Sequence, residues 1–260
     1  MLNISIYHKI KNINKTKINY IINIVIMLTI YNISNDYLNI VIEQNIDNPG
    51  IFNFLFYILN NYFINAHLTP ICILILAYKI NKDLKFETYY MYRFNNKVNW
   101  FYENIKIIGV KVGLFLINMI VITLIIAIIN IIFNPLWSEM IGIKTKYIEF
   151  FKDYNYIYIL TLKIILKFLY LFTLSVIFIS TSSLIKMYDV GILITLIINF
   201  INISLFLNPP EILRRFLFLN NVLMSDGTFI IKYYISAIYW ILILVFIIDI
   251  TSKLIKEIDY

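Results

Sequence analysis

The chain has 260 residues, of which 61% are hydrophobic and only 14% charged, with a formal net charge of +7 and a mean hydropathy of +0.80. An apolar share this far above the roughly 45–50% of soluble domains excludes an ordinary water-soluble fold. The apolar runs are long and do not alternate, which excludes a β-barrel and leaves an all-α membrane protein, since a helix needs about 20 apolar residues to cross the bilayer.

In chain order, a basic start with Lys9, Lys11, Lys15 and Lys17 leads into a first span at about 18–38. That run is too long for a signal-peptide core and lacks a small-residue cleavage site, so it is expected to be retained. Asn48-Pro49-Gly50 makes a turn before a second span within 51–80. This span is longer than a bilayer needs, so it tilts or begins with an interfacial turn, and Pro70 is expected to kink it. Residues 79–111 follow, neither membrane-grade apolar nor a tail. Their apolar residues Leu84, Met91, Phe94, Val98, Phe101, Ile105 and Ile108 recur at helical spacing, with Lys82, Lys85, Arg93, Lys97 and Lys106 mostly off that stripe. Such a basic amphipathic helix lies on the membrane surface or receives a partner protein.

A third span at about 112–133 closes at Asn134-Pro135, with Trp137 expected at the interface. The fourth span, about 159–184, holds Lys163 and Lys167 in its first turns and Ser180-Thr181-Ser182-Ser183 near its end. A tight turn, in which Asp189 is expected to act only locally with Lys186, opens a fifth span at about 190–207, ended by Asn208-Pro209-Pro210. Residues 209–232 are too interrupted to span and too apolar for a solvated loop, so they read as short helices at the outer interface. A sixth span at about 233–250 precedes a short tail with Lys253 and Lys256. No internal repeat or linker is visible, so residues 1–260 are expected to form a single six-helix domain.

With both termini inside, the inner segments hold 14 of the 22 Lys and Arg and seven acids, net +7, and the outer segments are neutral. The positive-inside rule therefore puts the termini and residues 79–111 in the cytoplasm. The positive charge is an orientation signal, with no call on nucleic acid. Heavy use of Ile, Asn, Lys, Tyr and Phe is what AT-rich codons favour and hints at a bacterial cell membrane.

Catalytic chemistry has little to work with. His8 and His67 are the only histidines and Cys72 the only cysteine, so no internal disulfide, no paired zinc ligands and no Cys-His arrangement are available. None of the six glycines opens a phosphate-binding loop, so the chain has no ATP site of that kind. Gly109 and Gly113 have the spacing that lets helices approach closely. Asn60, Asn61, Asn65 and His67 either bond neighbouring helices or line a polar path for substrate. Lys163 and Lys167 share one helix face and are expected near the outer end, where they snorkel to water or meet an anionic headgroup or peptide carboxylate.

The stretch Tyr92-Arg93-Phe94-Asn95-Asn96-Lys97-Val98-Asn99-Trp100 resembles the coupling helix of ABC-2 type ATP-binding-cassette permeases, above all the small six-span permeases of bacteriocin and lantibiotic self-protection. Asn95-Asn96 stands where the family usually has Gly-Ser. The short 184–191 turn and the broken 209–232 connection fit the same layout. The resemblance implies a membrane-spanning exporter subunit that is not itself an enzyme, moving a peptide, lipid or hydrophobic compound. It further implies a dimer with a second permease, self or paralogue, and two separate ATPase subunits that carry the ATP and Mg. Arg93, Phe94, Lys97 and Trp100 would dock the ATPase, and Asn61, Asn65, His67, Lys163 and Lys167 would line the substrate path. The alternative is a non-transporting scaffold or sensor subunit whose central helix lies on anionic lipid.

Overall fold

The computed structural model describes residues 17–43, 51–85, 97–140, 156–207 and 229–257, and among these all regular structure is helical. The elements are α1 (Lys17–Glu43), α2 (Ile51–Asn60), a π turn (Ile64–Leu68), α3 (Thr69–Lys85), α4 (Lys97–Phe133), α5 (Pro135–Met140), α6 (Tyr156–Ile185), α7 (Tyr188–Leu207) and α8 (Phe229–Glu257). Four of them, over Lys17–Glu43, Lys97–Phe133, Ile157–Ile185 and Tyr234–Glu257, are long and apolar enough to cross a membrane. The α2–α3 pair, bent by 57°, makes a fifth candidate if it is one span. The apolar stretch of α7, Tyr188–Ser204, is shorter. Large apolar side chains face outward along these helices, among them Ile24, Leu28, Ile117, Ile132, Phe200, Leu242 and Phe246. Hydrocarbon is the solvent in which such a surface is stable, since helices satisfy most of their backbone groups internally.

Side-chain pairs fix the relative depth of the helices. Asn118 Nδ2 donates to Asn23 Oδ1 at 2.7 Å, and Asn130 Nδ2 donates to Ser34 Oγ at 2.9 Å. The two pairs are offset by 95 and 96 residues, so α1 and α4 run parallel and Lys17 is level with Val112. Likewise the Tyr158 and Tyr234 hydroxyls bond each other and the Tyr170 ring meets Trp240 at 5.5 Å, so α6 and α8 run parallel. Tyr78 donates to Asp189 at 2.7 Å, which brings the end of α3 to the α6–α7 turn. Asp189 therefore acts across the fold rather than locally as expected.

Small residues set the tightest helix contacts. A Cβ on Gly109 would stand 3.3 Å from the Phe172 ring, and one on Gly113 would stand 3.9 Å from Phe168. The two glycines thus form a groove on α4 for the stacked Phe168–Phe172 pair of α6, as their spacing suggested. At the α6–α7 turn Lys186 adopts a positive φ of 60°, and Gly191 backs directly onto Ser182.

Three boundaries differ from the sequence reading. The second span breaks at Asn61, nine residues before Pro70, because Pro70 falls in the first turn of α3, where a missing N–H is tolerated. Trp137 is fully buried beneath Phe54, at 5.3 Å edge-on, and Tyr37, so α5 folds it inward rather than leaving it at the interface. Lys253, expected in a tail, continues α8 and pairs with Asp249 at 2.6 Å.

Residues 79–85 end α3 and residues 97–111 open α4 without a break, so the described parts of the central segment are extensions of span helices. The 37 residues of α4 run about 55 Å, nearly twice the roughly 30 Å hydrocarbon core. Within the extension Val98, Phe101, Ile105 and Ile108 are buried, as the apolar stripe requires. Lys97 is exposed, and exposed Lys106 pairs with Glu103 at 2.7 Å. Arg93 and Phe94 lie outside the described residues, as does most of the 209–232 connection.

Candidate functional site

The break between α2 and α3 is made by side-chain amides. Asn61 Oδ1 accepts from the Ile64 N–H at 3.1 Å, capping the new turn as an N-cap residue would. Asn65, fully buried, donates from Nδ2 to the carbonyls of Leu59 and Asn61, both at 2.8 Å. The Thr69 N–H and hydroxyl both turn back to the Ile64 carbonyl, closing the π turn. The two asparagines therefore bond their own backbone rather than neighbouring helices. His67 is half-buried, 5.9 Å from the Tyr62 ring and 5.7 Å from Phe63. It lines an apolar cleft of about 440 Å³ with Ile21, Val25, Ile71, Cys72 and Ile75.

A chain of polar contacts runs inward from this break. Pro70 has no N–H to give the Ala66 carbonyl four residues back. Asn199 of α7 supplies one, donating from Nδ2 at 3.1 Å, while its Oδ1 accepts from Tyr170 Oη at 2.7 Å. Ala66, Asn199 and Tyr170 are all buried. Tyr170 lies one turn beyond Lys167 on the same side of α6 and seven residues beyond Lys163.

Both lysines are 1% exposed and count among the largest fully buried side chains of the protein. Lys167 Nζ meets the Met119 thioether of α4 at 3.8 Å, a weak acceptor for an ammonium group. Met119 lies seven residues into the apolar part of α4, so Lys167 sits about 10 Å past the level of Val112 and Lys163 one turn further. The lysines therefore turn into the bundle and are enclosed there, rather than reaching outward to water as expected. Helix α6 begins at Tyr156 rather than 159, and only its register against α4 reveals the depth.

The helix break is thus tied through Asn199 to Tyr170, which lies on α6 one turn beyond Lys167; the composition of their spans did not single out either residue. A Tyr seven residues after a Lys is visible in the sequence, but Asn199 bears no signal beyond being an amide in an apolar run. Of the expected docking residues, Lys97 is exposed, whereas Trp100 is half-buried against the core. Among the described residues no group of three or more His, Cys, Asp or Glu could hold a metal ion. Comparison with protein-family models, curated proteins and solved structures finds no match for this chain.

Proposed function

We propose that the chain is the membrane-spanning subunit of an ATP-driven exporter for a peptide, lipid or hydrophobic compound, energised by a separate ATPase that docks on residues 79–111. The observation that carries this reading is the lysine pair enclosed in the bundle on α6, one turn before Tyr170, which Asn199 ties to a broken helix. Ionisable side chains inside a membrane bundle mark substrate or ion paths, and transporters build midplane sites at discontinuous helices. Six spans with cytoplasmic termini are supported by the parallel α1–α4 and α6–α8 pairs, which an up-and-down order requires, and by the charge asymmetry.

In this reading the α4 extension rests its Val98–Phe101 stripe on the bundle and offers Lys97 to the ATPase, and Arg93 and Phe94, outside the described residues, complete the docking set. ATP and Mg belong to that partner, and a second permease, self or paralogue, completes the complex in a bacterial cell membrane. The test has two parts. Arg93→Ala with Lys97→Ala is expected to remove the ATPase from the purified complex; undiminished recovery would sink the docking site. Lys167→Met is expected to keep the complex intact and abolish ATP-dependent export. Wild-type export by that variant would leave the lysines without a transport role, and no ATP-dependent export by the wild type itself would favour the scaffold reading.

A further inference from the structure

Along the seam between α1 and α4, polar residues give way to an apolar stretch and then return. A cleft of about 330 Å³ opens between α1, α3 and α4, lined by Asn19, Asn23, Lys111 and Asn118 above an apolar floor that includes Leu76 and Phe115. Its lining starts with Asn19, two residues into α1, and with Ile80, which follows Lys79 on α3. Asn23 and Asn118 stand six residues past Lys17 and Val112, about 9 Å further along the helices. Beyond them Ile26, Ile30, Ile126 and Ala127, none more than 2% exposed, lie between this pair and the Asn130–Ser34 pair.

The Asn23–Asn118 bond of 2.7 Å uses one amide proton of Asn118 and one lone pair of Asn23. It leaves a proton and the carbonyl oxygen of Asn118 and both protons of Asn23, and among the described residues neither side chain has a second bond. Neither amide is sealed off, since both residues are half-buried and line the cleft. Hydrocarbon has no partner to offer these groups, and leaving them unpaired is costly. Water does have one. The cleft has room for about ten molecules at ~30 Å³ each, with amides to hold them. The sequence neighbours of the pair, Ile24 at 57% exposed and Ile117 at 60%, belong instead to the lipid-facing surface.

We propose that this cleft is an aqueous crevice, filled from the face of the bundle at which α1 begins and stopped just past Asn23 and Asn118 by the apolar stretch. Its occupant is water, and the same amides serve a small hydrophilic solute that enters with it. The crevice thus opens the interior of the bundle to one face only. It rests on the amide pair and the apolar plug, independently of whether the chain transports anything.

The full chain carrying Cys72→Ser is placed in sealed membrane vesicles, and single cysteines are treated from each face with a charged, membrane-impermeant methanethiosulfonate. The reagent needs a thiolate, which forms in water and not in hydrocarbon. Asn23→Cys, Asn118→Cys and Leu76→Cys are expected to react from the face at which α1 begins. Their rates should exceed that of Ile24→Cys by at least about tenfold, as a thiol pKa one unit lower would give. Leu76→Cys removes no side-chain hydrogen bond, so it reads the crevice even where the amide variants do not fold. Ser34→Cys, beyond the plug, is expected to stay unreactive from that face. Lining cysteines that react no faster than Ile24→Cys, or that react from the opposite face, overturn the crevice. Reaction of Ser34→Cys from the same face, as fast as Asn23→Cys, overturns its closed end.

Discussion

The Asn199 amide donates to the Ala66 carbonyl at 3.1 Å, at the one point in the second span where Pro70 leaves a carbonyl without its helical partner. The bond crosses 133 residues of sequence and ties α7 to the broken span. With Tyr170 donating to the same side chain, one asparagine serves both a proline defect and a buried phenol.

Asn199→Leu is therefore expected to destabilise the fold by about 1–3 kcal/mol, because it strands the Tyr170 hydroxyl and the Ala66 carbonyl in a dry interior. Tyr170→Phe removes one donor only and should cost about 1 kcal/mol. The double variant should cost less than the sum, since the two side chains share a bond. Reversible unfolding of the detergent-solubilised chain measures all three; strict additivity would mean that the network is not coupled.

The glycines give a graded series. Gly191→Ala sets a Cβ 2.8 Å from Ser182 Cβ and 3.0 Å from its backbone, so the α6–α7 contact must open, at about 1–3 kcal/mol. Gly109→Ala meets the Phe172 ring at 3.3 Å and should cost less, because the ring can shift. Gly113→Ala makes ordinary contact at 3.9 Å and should be neutral or slightly stabilising. Unfolding midpoints in the order Gly113→Ala, Gly109→Ala, Gly191→Ala, highest first, are the expected result.

Lys167→Met should leave stability unchanged or raise it by about 1–3 kcal/mol, since a buried cation facing a thioether is replaced by an apolar chain of similar length. A clear loss of stability would mean that the ammonium is held by stronger contacts than the Met119 sulfur. Paired with the export assay, the result separates a residue kept for function from one kept for folding.

Helix register also predicts sidedness. In a Cys72→Ser background, Lys97→Cys and Met187→Cys, both at exposed positions, are expected to react with a membrane-impermeant maleimide from the cytoplasmic face alone. Phe133→Cys, at the far end of α4, should react from the outside alone. Labelling of Lys97→Cys and Met187→Cys from opposite faces would break the six-span order.

The sequence made the membrane class and most helix ends legible, because hydropathy and the Asn-Pro and Lys-Met-Tyr-Asp turns are local signals. Depth and facing are not local. Lys163 and Lys167 look interfacial when counted from the start of their own helix, and only their burial and the Met119 contact from α4 show that they turn into the bundle. Pro70 was the obvious kink, but at the first turn of α3 its missing N–H costs little, and Asn61 and Asn65 make the break with bonds that composition cannot forecast. Trp137 follows the rule for interfacial tryptophan in sequence and defies it in space, since α5 turns it onto Tyr37 and Phe54.

Helix α6 touches α2, α3, α4, α7 and α8, and from Tyr170 to Ser180 only Phe172 is not buried. Over that stretch the helix is enclosed, and it can neither roll nor tilt there without displacing every neighbour at once. Any change of shape in this bundle must therefore be a rearrangement of the outer helices about a stationary axle. The lysine pair, one to two turns before that enclosed stretch on the same helix, would move little while the walls around it change.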